Sequence, residues 1–114
     1  MEPLAAGVVA LVPLPFSDLS GAKARPVVVL ADAGRGDFLL CQVTSNRYSD
    51  ALAFELTARD FEEGTLRRVS YVRPGKLFTA HESLLRPRLG TLRPEAHARL
   101  VDRVVTLVRA SLRS

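Results

Sequence analysis

The chain has 114 residues, 47% of them hydrophobic, which suits one domain (1–114) with a core of its own and excludes a disordered tail or two domains. A net charge of +4 and a pI near 10.0 come from fourteen arginines and two lysines. That balance fits an anionic polymer partner, because a guanidinium forks onto phosphate and stacks on bases. The longest apolar stretch, from Leu4 to Phe16, is broken by two prolines and is too short to span a bilayer. It also lacks the basic start and small-residue cleavage site of a signal peptide, so a cytoplasmic protein without membrane contact is expected. Two histidines without a Cys/His cluster predict no metal and no cofactor, and Cys41, alone in "FLLCQV", reads as a small buried hydrophobe.

The first element is "GVVALVP", residues 7–13, whose nearly continuous apolar character predicts a strand buried on both sides or packed in a small barrel. A polar stretch with Ser17, Asp18, Ser20, Gly21 and Lys23 follows and reads as a loop, residues 17–24, ending at Arg25. "PVVVLA" (26–31) is a second strand, with Pro26 at its start because proline cannot donate to a ladder. "ADAGRGD" (31–37) is a tight turn and "FLLCQVTS" (38–45) a third strand. "DALAFELT" (50–57) alternates Leu52, Phe54 and Leu56 against Ala51, Ala53 and Glu55, as a fourth strand does.

"DFEEG" (60–64) reads as an acidic connecting turn. "RRVSYVRPGKLFTA" (67–80) predicts a fifth strand, bent or broken at Pro74-Gly75, with Arg67-Arg68 at its start. The period then changes. Ala96, Leu100, Val104, Leu107 or Val108, and Leu112 recur at three- and four-residue intervals, the mark of an amphipathic helix. Pro94 suits its first position and Glu95 its dipole, although Arg93 is a poor cap. His97 falls toward the exposed flank of that helix, while His81 follows the fifth strand. Short strands with one terminal helix predict a mainly β fold, a strongly bent SH3-like small barrel.

"GVVALVPLPFSDLSGAKARPVVVL" resembles the first strand, loop and second strand of the PemK/MazF family of toxin endoribonucleases. "LLCQVTSN" resembles that family's third strand, and "VSYVRPGKLFTAHESLLRPRLGTL" the region leading to its terminal helix. These blocks cover nearly the whole chain in order. One departure is Val8, where the family's glycine is commonly followed by aspartate.

The resemblance implies a homodimeric toxin of a type II toxin–antitoxin pair that cleaves single-stranded RNA, such as mRNA, at short sequence motifs without a metal. It implies Arg25 and Thr44 as catalytic residues, and a cognate antitoxin whose acidic tail occupies the RNA groove. With it, Ser20, Gly21 and Lys23 are expected to meet the RNA backbone, and Ser45 and Asn46 to bind substrate behind Thr44. Lys76 with Arg73 extends the basic groove, and Tyr48 and Phe78 are candidate base-stacking residues. The barrel also resembles the CcdB-type gyrase poisons, which cleave nothing and end in a tryptophan-bearing tail. This chain has no tryptophan and ends "VRASLRS". A catalytically inactive nucleic-acid-binding barrel is the third reading.

Overall fold

The computed structural model describes residues 4–15, 22–46, 51–85 and 88–113. Seven strands and one helix follow in order: β1 (Val8–Pro15), β2 (Ala22–Gly34), β3 (Asp37–Thr44), β4 (Phe54–Leu56), β5 (Phe61–Gly64), β6 (Ser70–His81), β7 (Arg88–Leu92) and α1 (Pro94–Ala110). All the strands join one antiparallel sheet in the order β4-β6-β3-β2-β1-β7-β5.

The sheet has to curl. Laid flat, seven strands would separate the two edges by about 29 Å. Yet those edges, β4 and β5, are consecutive in the chain, and only residues 57–60 lie between them. Such a link spans at most about 17 Å. The result is an open half-barrel with the terminal helix on its concave side, the bent β architecture with one helix that the sequence predicts.

Alternation along the central strands divides their apolar residues between two clusters. Val9, Val28, Leu30, Cys41 and Val43 meet Phe54, Leu56, Phe61, Val72 and Leu92, together with Ala96 and Leu100 of the helix. Val8, Ala10, Val12, Val27, Val29, Phe38 and Leu40 pack with Leu85 on the opposite face. Two apolar faces are why β1 to β3 read as unbroken hydrophobic runs. Cys41 is wholly buried, as expected, and its thiol meets the carbonyl oxygen of Arg73 at 2.9 Å. Val8 is 2% exposed within the second cluster, where an aspartate would be a buried charge.

Several boundaries differ from the sequence reading. β2 starts at Ala22, so Lys23 lies on a strand and not in the loop, paired with Leu14 of β1. The predicted fourth strand shrinks to Phe54–Leu56, with Phe54 and Leu56 buried and Glu55 exposed as the alternation required. "DFEEG" is no mere turn: Phe61–Gly64 is the edge strand β5, paired with β7, which the sequence reading missed. An edge strand with one buried residue carries almost no periodic signal. β6 starts at Ser70 and not at Arg67, and its pairing with β3 jumps from Val43↔Val72 to Cys41↔Leu77. That jump accommodates Arg73-Pro74-Gly75-Lys76, the break expected at Pro74-Gly75.

β5 and β7 approach closely because both carry glycine at one paired position, Gly64↔Gly90. A Cβ on Gly64 would stand 2.2 Å from the carbonyl oxygen of Leu89, and Gly64 also has a φ of +67°. A Cβ on Gly90 would come within 3.0 Å of the Phe61 ring.

Helix α1 begins as predicted, with Pro94 in its first turn and no side-chain cap from Arg93. Its inner face buries Ala96 and Leu100, and two of its arginines bind the segments before β4 and β5. Arg103 donates to the carbonyls of Leu52 and Ala53, Arg99 pairs with Asp60 at 2.9 Å, and both guanidiniums lie 5.2 Å from the Phe54 ring centre. Among the described residues, no helix is long and apolar enough to cross a membrane.

Candidate functional site

The site begins with one proline. β2 pairs with β1 as far back as Ala22, through Arg25↔Val12 and Pro26↔Leu11. Its pairing with β3 stops at Val27↔Gln42. Pro26 has no N–H to continue that ladder. The register Val27↔Gln42, Val28↔Cys41, extended by two residues, sets Arg25 opposite Thr44, so the two strand ends part where these residues stand. β3 leaves β2 there and finishes against β6, with Thr44 paired to Tyr71.

The parted strands open into a groove of about 450 Å³. Leu11, Pro26, Val43, Leu66 and Leu89 make its apolar floor, and Thr44, Ser45, Thr65 and Ser70 supply hydroxyls. The charged residues that line it are Arg25, Arg67 and Arg68, with no carboxylate among the described lining. Three guanidiniums on one concave wall focus positive potential into the groove. Arg25 is half-buried, which restricts its fork, whereas Arg67 and Arg68 are exposed at the rim.

Thr44 is held by its own turn. The backbone N–H of Asn46 donates to Thr44 Oγ1 at 3.1 Å. The hydroxyl accepts in that bond and keeps its one proton to donate toward the groove. Ser70 is nearly buried and donates to the carbonyl of Arg68 at 3.1 Å, which ties the arginine bend to the start of β6.

The expected site residues thus divide. Arg25, Thr44 and Ser45 line one groove although they come from two strands and the turn beyond. Asn46 stands behind Thr44 as its backbone donor. Lys23 is exposed two residues before Arg25 on β2. Lys76 is exposed in the β6 irregularity and is not part of the groove lining, and neither is Arg73. Ser20, Gly21 and Tyr48 lie outside the described residues. Phe78 packs part-buried against the second core cluster and is not in the groove lining.

The sequence reading set Arg67-Arg68 at a strand start and left open whether they contact RNA, and it missed Thr65 and Ser70 altogether. No motif marks them. They reach Arg25 only because β5 and the bend after it fold back across the end of the sheet.

Neither histidine is in the groove. His81 is paired with Asp37 and Thr44 with Tyr71, so His81 sits at the far end of β3, about 23 Å away along the strand. Its ring meets Ser83 Oγ at 3.0 Å. His97, expected on the exposed flank of α1, is instead half-buried near Gly7, with a buried Nδ1 that has no hydrogen-bond partner. Burial pushes its pKa below 6.5, opposed in part by a backbone hydrogen bond at Leu30. The unfolded chain then takes up the proton first as pH falls. Stability from this residue is complete above about pH 6.5 and declines below it, through the lowered folded value. Urea titrations between pH 5 and 8 should show that decline, and His97→Gln should flatten it.

A family model described as "PemK-like, MazF-like toxin of type II toxin-antitoxin system" matches residues 5–108. No curated protein matches the chain significantly. Solved structures do, at low identity. A MazE-MazF complex from Deinococcus radiodurans superposes with a TM-score of 0.72 at 19% identity, covering 92% of this chain and 95% of that one. An endoribonuclease from Mycobacterial species gives 0.70 at 17%, covering 95% and 93%. A Mycobacterial endoribonuclease in complex with its cognate antitoxin gives 0.64 at 16%, covering 98% and 95%.

Proposed function

The chain belongs to the PemK-like, MazF-like toxins of type II toxin–antitoxin systems, and from that premise we propose that it is a metal-independent endoribonuclease acting on single-stranded RNA in the Arg25–Thr44 groove. One observation carries this reading. A half-buried guanidinium and a hydroxyl from two strand ends line one cleft whose other charged lining, among the described residues, is also arginine.

The chemistry follows from those groups. The RNA 2′-oxygen attacks the adjacent phosphorus, forming the 2′-O–P bond as the P–O5′ bond breaks. The products are a 2′,3′-cyclic phosphate, hydrolysed further to a 3′-phosphate, and a 5′-hydroxyl. The phosphorane gains negative charge on its non-bridging oxygens, and Arg25 clamps them with a bidentate fork. Thr44 donates its hydroxyl to one of these oxygens, and Ser45 adds a second donor. Arg67 and Arg68, with Lys23 along the strand, hold the flanking phosphates.

A guanidinium stays charged at ordinary pH, so it serves as clamp and not as base. No lining side chain among the described residues is a base near neutrality. The 2′-hydroxyl proton therefore passes to solvent, which also returns a proton to the leaving 5′-oxygen, and turnover is modest. The protein acts as a homodimer with the RNA groove near the subunit interface, and an antitoxin with an acidic segment inhibits it by competing for the arginines.

The test is cleavage of end-labelled single-stranded RNA in excess EDTA, with the new ends identified. Cutting with 5′-hydroxyl and cyclic or 3′-phosphate ends is expected. Cutting that requires magnesium, or leaves 5′-phosphates, overturns the mechanism. Gyrase inhibition without RNA cleavage returns the chain to the CcdB-like reading.

A further inference from the structure

The arginine bend lines two cavities. Thr65, Leu66, Arg67 and Arg68 border the groove described above and also a second hollow of about 200 Å³. The remaining walls of that hollow are Leu56, Thr57, Ala58, Phe61 and Val69. Like the groove, it has no carboxylate in its described lining, and its two charged residues are the same rim arginines.

Its shape comes from the glycine pair at the sheet edge. Gly90 has no Cβ, so the Phe61 ring lies against the β7 backbone, and Leu56 and Phe61 form an apolar base. Thr57 and Thr65 bring hydroxyls to the rim, and each already has a local bond, to Asp60 and to the Leu66 carbonyl. Val69, an apolar side chain on this wall, is 48% exposed. An apolar slot with a few polar edges and a cationic rim fits a flat ring attached to an anion. Beside a phosphate-binding groove, that description matches an unstacked nucleobase. Single-stranded RNA is recognised by such splayed bases, stacked on apolar or guanidinium surfaces.

We infer that the second hollow is a base-binding subsite. It takes one splayed nucleobase of the strand whose scissile phosphate lies between Arg25 and Thr44. Ala58, Leu66 and Val69 then help to decide which base is accepted at one position beside the cut. Arg67 and Arg68, on the shared wall, bind the phosphate between the two cavities. This inference rests on the ribonuclease reading.

The experiment maps cut sites on a random-sequence single-stranded RNA pool in excess EDTA, for the wild type, Ala58→Phe and Val69→Ala. Ala58 and Val69 line only the hollow and are exposed, so Ala58→Phe fills it and Val69→Ala widens it without altering Arg25, Thr44 or Ser45. Base preference at one position should weaken by about tenfold or more in Ala58→Phe and shift in Val69→Ala, with preference elsewhere unchanged. A uniform loss of rate, or an unchanged cut pattern in both variants, overturns the subsite while the wild-type cutting upholds the ribonuclease. A wild type that cuts no RNA overturns the ribonuclease reading, and the subsite falls with it. Should Ala58→Phe fail to fold, as circular dichroism would reveal, the Val69→Ala pattern decides alone.

Discussion

Arg25→Ala should lower single-stranded RNA cleavage by about a hundred- to a thousand-fold, the usual effect of deleting one preorganised donor to a charged transition state. Circular dichroism and the melting temperature should stay close to the wild type. Arg25→Lys should recover little, because an ammonium keeps the charge but not the two parallel N–H bonds that grip a phosphorane. RNA binding should weaken less than turnover does, since Arg67 and Arg68 still line the groove. Single-turnover rates against binding constants for an uncleavable 2′-methoxy RNA separate the two effects. Cleavage by Arg25→Ala near the wild-type rate would remove the clamp from the mechanism.

Leu100→Ala should be the most damaging single truncation in the fold. Leu100 is 0% exposed and packs from α1 into the cluster that joins both arms of the half-barrel. Replacing such a leucine costs about 2–5 kcal/mol, a large share of a small domain's total stability. A fall in melting temperature on the order of 10 °C or more follows. Leu112, 78% exposed on the last turn, supplies the control: Leu112→Ala should change stability by no more than about 0.5 kcal/mol. Equal losses in the two variants would show that α1 is not held through its inner face.

The two effects differ in kind. The helix is bound to the sheet by apolar contact through Ala96 and Leu100, with Arg99 and Arg103 reaching over Phe54 to the segments before β5 and β4. Losing that support would disturb β5 and the bend carrying Arg67 and Arg68. Leu100→Ala therefore combines lower stability with weaker RNA binding, whereas Arg25→Ala lowers turnover most, binding less and stability hardly at all.

Much of this was legible in the chain. Unbroken apolar runs marked β1 to β3, because strands with two buried faces need hydrophobic residues at every position. The three- and four-residue spacing of Ala96, Leu100 and Val104 gave the helix, and Pro94 its start. Pro74-Gly75 announced the interruption in β6. β5 and β7 escaped notice for a physical reason: "FEEG" buries one residue, and "RLGTL" is held by a glycine–glycine approach that no periodicity encodes.

By itself, the sequence determined the local matters: which segments extend, where the helix begins, which side chains face inward and that arginine is the dominant cation. Arg25 and Thr44 were singled out by resemblance to a family; their spacing of nineteen positions contains no geometry. Only the tertiary structure brought them to one groove, kept both histidines out of it, half-buried His97 and set Arg67 and Arg68 on the same wall. Local preferences act over a few residues, whereas a cleft is made by segments distant in the chain. Their meeting is fixed by how a seven-stranded sheet curls when residues 57–60 must join its two edges.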